Sequence, residues 1–256
     1  MARVPLIAAN WKMNTTVAEA AALVKAMLPQ IDSVSEVEKL LCPPFISIST
    51  VAELARGTSV KVGAQNMHHE ARGAFTGEIS PTMLQGYCEY VILGHSERRI
   101  HFSEKDFGIN LKVQAALKNK LKPILCVGED MDQREGGEAG AVISHQLETD
   151  FRSVMFEPGI VIAYEPVWSI GTGAPAQPEE AEEIATLIRR WLDSRFTGFP
   201  VEQVRILYGG SVGAHNVKSF VELPNIDGVL VGSASLRADE FSNLVKNSAE
   251  AAKAKI

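Results

Sequence analysis

Ile160-Val161-Ile162-Ala163-Tyr164-Glu165-Pro166-Val167-Trp168-Ser169-Ile170-Gly171-Thr172-Gly173 is the stretch around which the rest of the chain arranges itself. Its opening run, Ile160-Val161-Ile162-Ala163, is apolar without interruption and too short for a helix. Bounded by glycine and proline signals, it reads as a parallel strand buried on both faces. Pro166 disfavours helical dihedrals at Glu165, so the strand stops there and a loop begins with a carboxylate at its root. Trp168 and two glycines follow, a composition suited to a loop that closes over something. Within this stretch alone, a strand-end glutamate in a surface salt bridge would look the same.

Similar short runs recur along the whole chain: Leu6-Ala9, Lys39-Cys42, Val60-Ala64, Tyr90-Leu93, Pro123-Val127, Ile160-Tyr164, Arg205-Tyr208 and Gly228-Val231. Most intervals between them hold an amphipathic helical segment. Val17 to Leu28 places Val17, Ala20, Ala21, Val24 and Leu28 on one stripe, and Pro29 is expected to end it. Further segments run from Phe45 to Leu54, Asn110 to Leu117 and Ala141 to Phe151. Pro178 opens another with acids at its positive end, although Gln177 before it is a poor cap. Phe241 to Ala252 closes the chain. Eight strands alternating with helices predict an α/β fold, a single closed (β/α)8 barrel of eight parallel strands with outer helices, in one domain over residues 1–256. A doubly wound open sheet would need a glycine-rich loop after its first strand. Here that position holds Asn10-Trp11-Lys12-Met13-Asn14.

Composition agrees. The chain has 256 residues, 46% hydrophobic and 22% charged, as in ordinary globular proteins with a sizeable core. A net charge of −6 and the lack of any Lys/Arg block argue against nucleic acid as a partner. Cys42, Cys88 and Cys126 show no metal or redox spacing and read as reduced thiols of a cytoplasmic protein. The N-terminal stretch reads as neither a signal peptide nor a membrane span.

In such a barrel the chemistry sits where strands end. The first strand delivers Asn10 and Lys12 to one side while Trp11 points away. Lys12 suits an anion, a developing oxyanion or a Schiff base. The fourth strand ends in Gly94-His95-Ser96-Glu97-Arg98-Arg99. There the start of a short helix is expected to hold His95 neutral and donating one N–H. A structural histidine bonded to a carbonyl would give the same sequence. Gly171, Gly209-Gly210-Ser211 and Gly232-Ser233 gather backbone donors at the corner where such barrels collect phosphate. Cys126-Val127-Gly128-Glu129 carries no evident role. The remaining histidines lack comparable placement, and no metal site is read. One loop is too long for a simple connection: Gln65 to Glu78 includes Met67 and Phe75, both costly to leave in water, which predicts docking into a second copy.

Taken together, these residues resemble the triosephosphate isomerase family. The matching pieces are Ala9-Asn10-Trp11-Lys12-Met13-Asn14, Gly73-Ala74-Phe75-Thr76-Gly77-Glu78, Gly94-His95-Ser96-Glu97-Arg98-Arg99, Ala163-Tyr164-Glu165-Pro166-Val167-Trp168 with Ile170-Gly171-Thr172-Gly173, and Tyr208-Gly209-Gly210-Ser211-Val212. This family is itself a standard example of a glutamate base, a neutral histidine and a closing loop. The resemblance implies a TIM barrel that interconverts dihydroxyacetone phosphate and D-glyceraldehyde 3-phosphate through an enediolate, in glycolysis and gluconeogenesis, without cofactor or metal. It implies Glu165 as base, His95 and Asn10 as donors to the enediolate oxygens, Lys12 as positive charge and Glu97 as its support. Gly171, Ser211, Gly232 and Ser233 would receive the phosphate. Pro166, Val167 and Trp168 would belong to the lid, with Ile170 and Leu230 as an apolar cover. The family's homodimer would be made through the loop carrying Met67, Phe75 and Thr76.

Two departures stand out: Ala174-Pro175-Ala176 at the far lid hinge, where the family commonly has Lys-Thr-Ala, and Ser233 in place of a second glycine. Pro175 is expected to alter the lid's opening rate. Ser233 keeps its N–H and would disturb phosphate binding only if it needed a positive φ. Two rival readings are a Schiff-base aldolase acting through Lys12 and a non-catalytic phosphate-binding protein on the same scaffold.

Overall fold

A computed structural model describes residues 3–171, 175–196 and 198–255. Eight strands lie where the apolar runs are: β1 (Leu6–Asn10), β2 (Glu38–Cys42), β3 (Val60–Ala64), β4 (Tyr90–Leu93), β5 (Lys122–Val127), β6 (Val161–Tyr164), β7 (Arg205–Tyr208) and β8 (Gly228–Val231). Each pairs in parallel with the next, and β8 returns to β1, so the sheet closes in chain order. Alternation along the strands divides the core in two. Leu6, Ala8, Leu40, Cys42, Tyr90, Ile92, Ile124, Cys126, Val161, Ala163, Leu207 and Leu230 fill the barrel. The intervening residues, such as Ile7, Leu41, Val91, Leu125 and Ile162, pack outward against the helices. Neither face of a strand meets water, which is why these runs read as apolar throughout rather than alternating.

Several helix limits differ from expectation. The first helix spans Val17–Ile31 and continues through Pro29. A proline there costs about 3 kcal/mol. Burying Met27 and Ile31, each fully enclosed, contributes about 1.5–3 kcal/mol apiece and outweighs it. The buried stripe is Ala20, Val24, Met27 and Ile31, so Val17 is left largely exposed. Asp106–Lys118 begins four residues before Asn110. Phe45–Ser47 is a separate 3-10 turn ahead of the helix Ile48–Ala55. Pro178–Arg195 starts as expected, and Gln177 is helped from the far side: Glu180 Oε2 accepts its N–H at 2.9 Å.

The loop after β3 carries a correction. Met67 is fully buried within its own chain, in the layer between strands and helices, so it gives no reason to seek a partner. His68 N–H donates to Ile79 O at 2.7 Å, drawing the loop's two arms together and Met67 inward. Phe75 stays 45% exposed, its ring tilted against that of His68 with centroids 4.2 Å apart, and Thr76 is exposed beside it.

Candidate active site

At the C-terminal ends of the strands lies a cavity of about 390 Å³. Its lining includes Asn10, Lys12, His95, Glu165, Ile170, Gly171, Ser211, Leu230, Gly232 and Ser233. A larger hollow of about 560 Å³ lies at the opposite end of the barrel, beside Arg3, Asp227 and Lys253. There Arg3 is paired with Asp227 at 2.6 Å and Lys253 with Glu36 at 2.8 Å. Those charges pair with one another, and among the described residues the hollow's lining holds no buried acid against a histidine, as Glu165 lies against His95 at the C-terminal mouth.

Glu165 is almost wholly buried. Its backbone is pinned to β5 by a hydrogen bond from its N–H to Val127 O at 2.8 Å. The surrounding glycines are there for space. A Cβ on Gly128 would lie 1.7 Å from the Glu165 carbonyl oxygen, and one on Gly209 would lie 2.9 Å from Glu165 Cγ. Ser96 N–H donates to Oε2 at 2.8 Å. His95 Nε2 comes within 3.0 Å of Oε1, an ion-pair contact that is not aligned as a hydrogen bond. Burial pushes the Glu165 carboxyl's proton affinity up, but His95 and the Ser96 donors outweigh it and hold the group below the usual carboxylate range.

His95 caps the short helix Ser96–His101, and its Nδ1 accepts the Glu97 N–H at 3.2 Å. A singly protonated ring therefore carries its proton on Nε2, aimed at the cavity. Burial pulls the ring's pKa down, as the sequence argument expects of the helix end. The facing Glu165 carboxylate reverses this, and the net shift is upward. The helix terminus alone does not set the protonation state.

Lys12 and Asn10 both reach the cavity, and Trp11 turns outward into the helix-facing core. Lys12 leaves the strand with φ +53°, a region costly for a residue with a Cβ, by about 1–3 kcal/mol. Three contacts hold it there. Its N–H donates to Asn10 Oδ1 at 3.1 Å, its carbonyl accepts from Gln65 Nε2 at 2.8 Å, and its Nζ pairs with Glu97 Oε1 at 2.5 Å. That ion pair suits an ammonium kept as a charge and runs against the Schiff-base reading.

The remaining polar groups of the cavity lining are of another kind, and they reach up to Lys12, whose Cε would lie 3.4 Å from a Cβ on Gly232. Among the described residues, the backbone N–H groups of Gly171, Ser211, Gly232 and Ser233 have no hydrogen-bond partner within the chain. Ser233 is absent from the residues with positive φ, so a serine is accommodated there without strain. Leu230 is buried and Ile170 half-buried, and both belong to the cavity lining.

Pro166, Val167 and Trp168, expected of a lid, lead into and begin a 3-10 turn over Val167–Ser169. Thr172, Gly173 and Ala174 fall outside the described residues, which includes part of the unusual Ala174-Pro175-Ala176 hinge. Glu129 anchors the start of this turn. Fully buried, it accepts from Tyr164 Oη at 3.0 Å and Trp168 Nε1 at 2.9 Å. Arg134 lies over the Trp168 ring and pairs with Glu180 at 2.7 Å. At the far hinge, Ala176 N–H donates to Tyr208 Oη at 3.0 Å, and the same hydroxyl shares a hydrogen bond with Ser169.

Sequence reasoning left Glu129, Gln65 and Tyr208 without a role. Glu129 and Gln65 are polar residues just past strand ends, the position that does mark a mouth residue, but which partner each would meet is not written locally. Ser96's part was invisible for another reason, since any residue supplies an N–H. Cys126 sits inside the barrel with Glu165 among its neighbours; burial pushes its thiol far up, so it is not a nucleophile. No group of His, Cys, Asp and Glu suited to a metal occurs among the described residues.

Comparison with known proteins decides the family. A family model described as triosephosphate isomerase matches residues 5–248. The chain belongs to the triosephosphate isomerase family. It is 46% identical to the triosephosphate isomerase of Clostridium tetani, covering 95% of this chain and 96% of that one. To that of Carboxydothermus hydrogenoformans it is 47% identical, covering 96% and 99%. A crystal structure of triosephosphate isomerase from Bartonella henselae superposes with a TM-score of 0.87 at 34% identity, over 95% of this chain and 98% of that one.

Proposed function

We propose that the protein performs its family's reaction, the cofactor-independent interconversion of dihydroxyacetone phosphate and D-glyceraldehyde 3-phosphate, with Glu165 as the proton-transferring base. The supporting observation is the buried Glu165 carboxylate in contact with His95 Nε2 at 3.0 Å in the cavity wall. A carbon acid next to a carbonyl is too weak for a solvated carboxylate to deprotonate quickly, so the oxygen that becomes negative needs donors already in place. His95 Nε2–H and the Asn10 side chain are suited to that, with Lys12 adding positive charge and Glu97 holding the ammonium. A substrate carbonyl in front of Nε2 displaces the Glu165 oxygen from it. Burial and the Glu97 N–H at Nδ1 then favour the neutral ring as donor. Glu165, released from His95 and still buried, gains basicity as water leaves.

The phosphate would be taken by the N–H groups of Gly171, Ser211, Gly232 and Ser233. Ile170 and Leu230 would exclude water from the base, which also keeps the enediolate from shedding its phosphate. Solvent hydrogen exchange into dihydroxyacetone phosphate, compared in the parent and in Glu165→Gln, tests the assignment. Undiminished exchange in the variant would remove Glu165 from the reaction.

A second copy of the chain is the proposed partner. Beside the site a hollow of about 440 Å³ is lined by Met13, Phe45, Gln65, Glu97 and Phe102. Met13 is 98% exposed and Phe102 66%, an apolar rim that the exposed Phe75–Thr76 tip of a partner would cover. This revises the basis for the dimer: Phe75 and Thr76 carry it, and Met67 only holds their loop in shape. Sedimentation at twice the monomer mass, reduced towards monomer by Phe75→Asp, is the expected result. A cytoplasmic location is proposed with it. No helix among the described residues is long and apolar enough to cross a membrane.

A further inference from the structure

We propose that Arg99 is a positioning residue that fixes the spacing between His95 and Glu165. The proposal rests on the roles given to those two residues above. Arg99 does not line the cavity. Its Nε donates to Gly94 O at 2.8 Å and its Nη2 to Cys126 O at 3.2 Å. Gly94 is the residue before His95. Cys126 is the residue before Val127, whose carbonyl holds the Glu165 backbone. One planar cation therefore joins the strand end that presents the histidine to the strand that anchors the base.

The far side of Arg99 is fixed as well. Its guanidinium pairs with Asp106, the first residue of the helix Asp106–Lys118, and at 3.0 Å with Asp150, the last residue of the helix Ala139–Asp150. Gly94 lies at φ +70°, and a Cβ there would come within 3.1 Å of Arg99 Nη2 and of Ile109, so the turn fits closely around this side chain. Only a flat fork of donors reaches two carbonyls and two carboxylates at once; an ammonium is a single point of charge. The turn Gly94-His95-Ser96 supplies two of the groups that face the Glu165 carboxylate, the Ser96 N–H and His95 Nε2. A shift of this turn therefore disturbs both. The phosphate-facing N–H groups, on the loops after β6, β7 and β8, do not depend on it.

Arg99→Ala is expected to lower kcat about 10- to 100-fold, the cost of displacing reacting groups by up to about 1 Å. KM and the inhibition constant of inorganic phosphate should stay within about threefold, since the lost interaction belongs to the chemical step. Arg99→Lys, which keeps the charge, covers the case in which the alanine variant does not fold. It should lose kcat to a smaller degree and shift the ¹⁵N resonances of the His95 ring. A folded Arg99→Lys enzyme with unaltered kcat and an unmoved His95 signal would overturn the proposal. So would an equal weakening of kcat and phosphate inhibition in either variant, which marks general damage to the mouth. Failure of the underlying reading is distinct: it would show as retained exchange in Glu165→Gln, with no reference to Arg99.

Discussion

The two sides of the barrel's mouth solve different problems with different materials. On the side of β1, β4 and β6 stand side chains: Lys12, His95 and Glu165, each fixed by named partners in the chain. On the loops after β6, β7 and β8 stand backbone N–H groups with glycines and small residues around them. Proton transfer needs groups of particular basicity, which only side chains provide. Holding an anion needs only donors in a fixed array, which backbone supplies without a long side chain to immobilise. The first side should accordingly be intolerant of side-chain change and the second largely indifferent to it.

The largest expected effect lies on the first side. Glu165→Gln should reduce kcat by about 10³- to 10⁴-fold, towards the upper end of what a positioned acid–base group contributes. KM should change little, and a modest loss would break the contrast at its strongest point. His95→Gln should cost about 10²- to 10³-fold in kcat, as for removal of one preorganised donor.

The histidine variant also carries a pH signature. In its proposed role as base, Glu165 would act only when ionised, so activity would be present above its pKa and lost as pH falls through it. Burial raises that pKa and the larger combined influence of His95 and Ser96 lowers it. In the free parent enzyme the limb of kcat/KM belongs to the Glu165–His95 pair, because His95, itself shifted upward, must also be neutral to serve as donor. In His95→Gln only Glu165 is left to titrate, with burial less opposed, so the acid limb should change from that of a coupled pair to that of a single ionisation in a pH–rate profile. An unchanged limb would mean that His95 does not set the carboxylate's affinity.

Smaller effects sharpen the comparison. Gly209→Ala places a methyl 2.9 Å from Glu165 Cγ, so the base must shift. A fall in kcat of about 10-fold follows from a misplacement well under 1 Å. The smallest effect belongs to the second side. Ser233→Ala and Ser233→Gly both retain the N–H, and KM should stay within about twofold of the parent in either, as for a surface change that removes no structural contact. A tenfold rise in KM in both would show that the serine hydroxyl, not the backbone, holds the phosphate.

Much of this could be read in the chain. All eight strands were legible because burial on both faces leaves an uninterrupted apolar signal, and Asn10, Lys12, His95 and Glu165 stood out as polar residues at strand ends. Pro29 misled because local propensity says where a helix prefers to stop, whereas Ile31 had a buried seat beyond it. Met67 misled in the opposite sense: an apolar residue in a long loop looks stranded until His68 and Ile79 are seen to fold the loop shut. Glu129 was noticed without a role, since its partners Tyr164, Trp168 and Arg134 come from separate places along the chain.

By itself, then, the order of residues settled the barrel, the location of its mouth and the side chains that crowd there, because hydrophobic period and strand-end position are local properties. Only the folded arrangement decided the direction in which Glu165 and His95 shift each other's protons, the hold on Lys12 at a positive φ, and the reach of Arg99 between two strand ends. Those depend on distances of about 3 Å between groups far apart in the chain. Coulomb and hydrogen-bond energies change steeply at that range, and no pattern along the sequence encodes it.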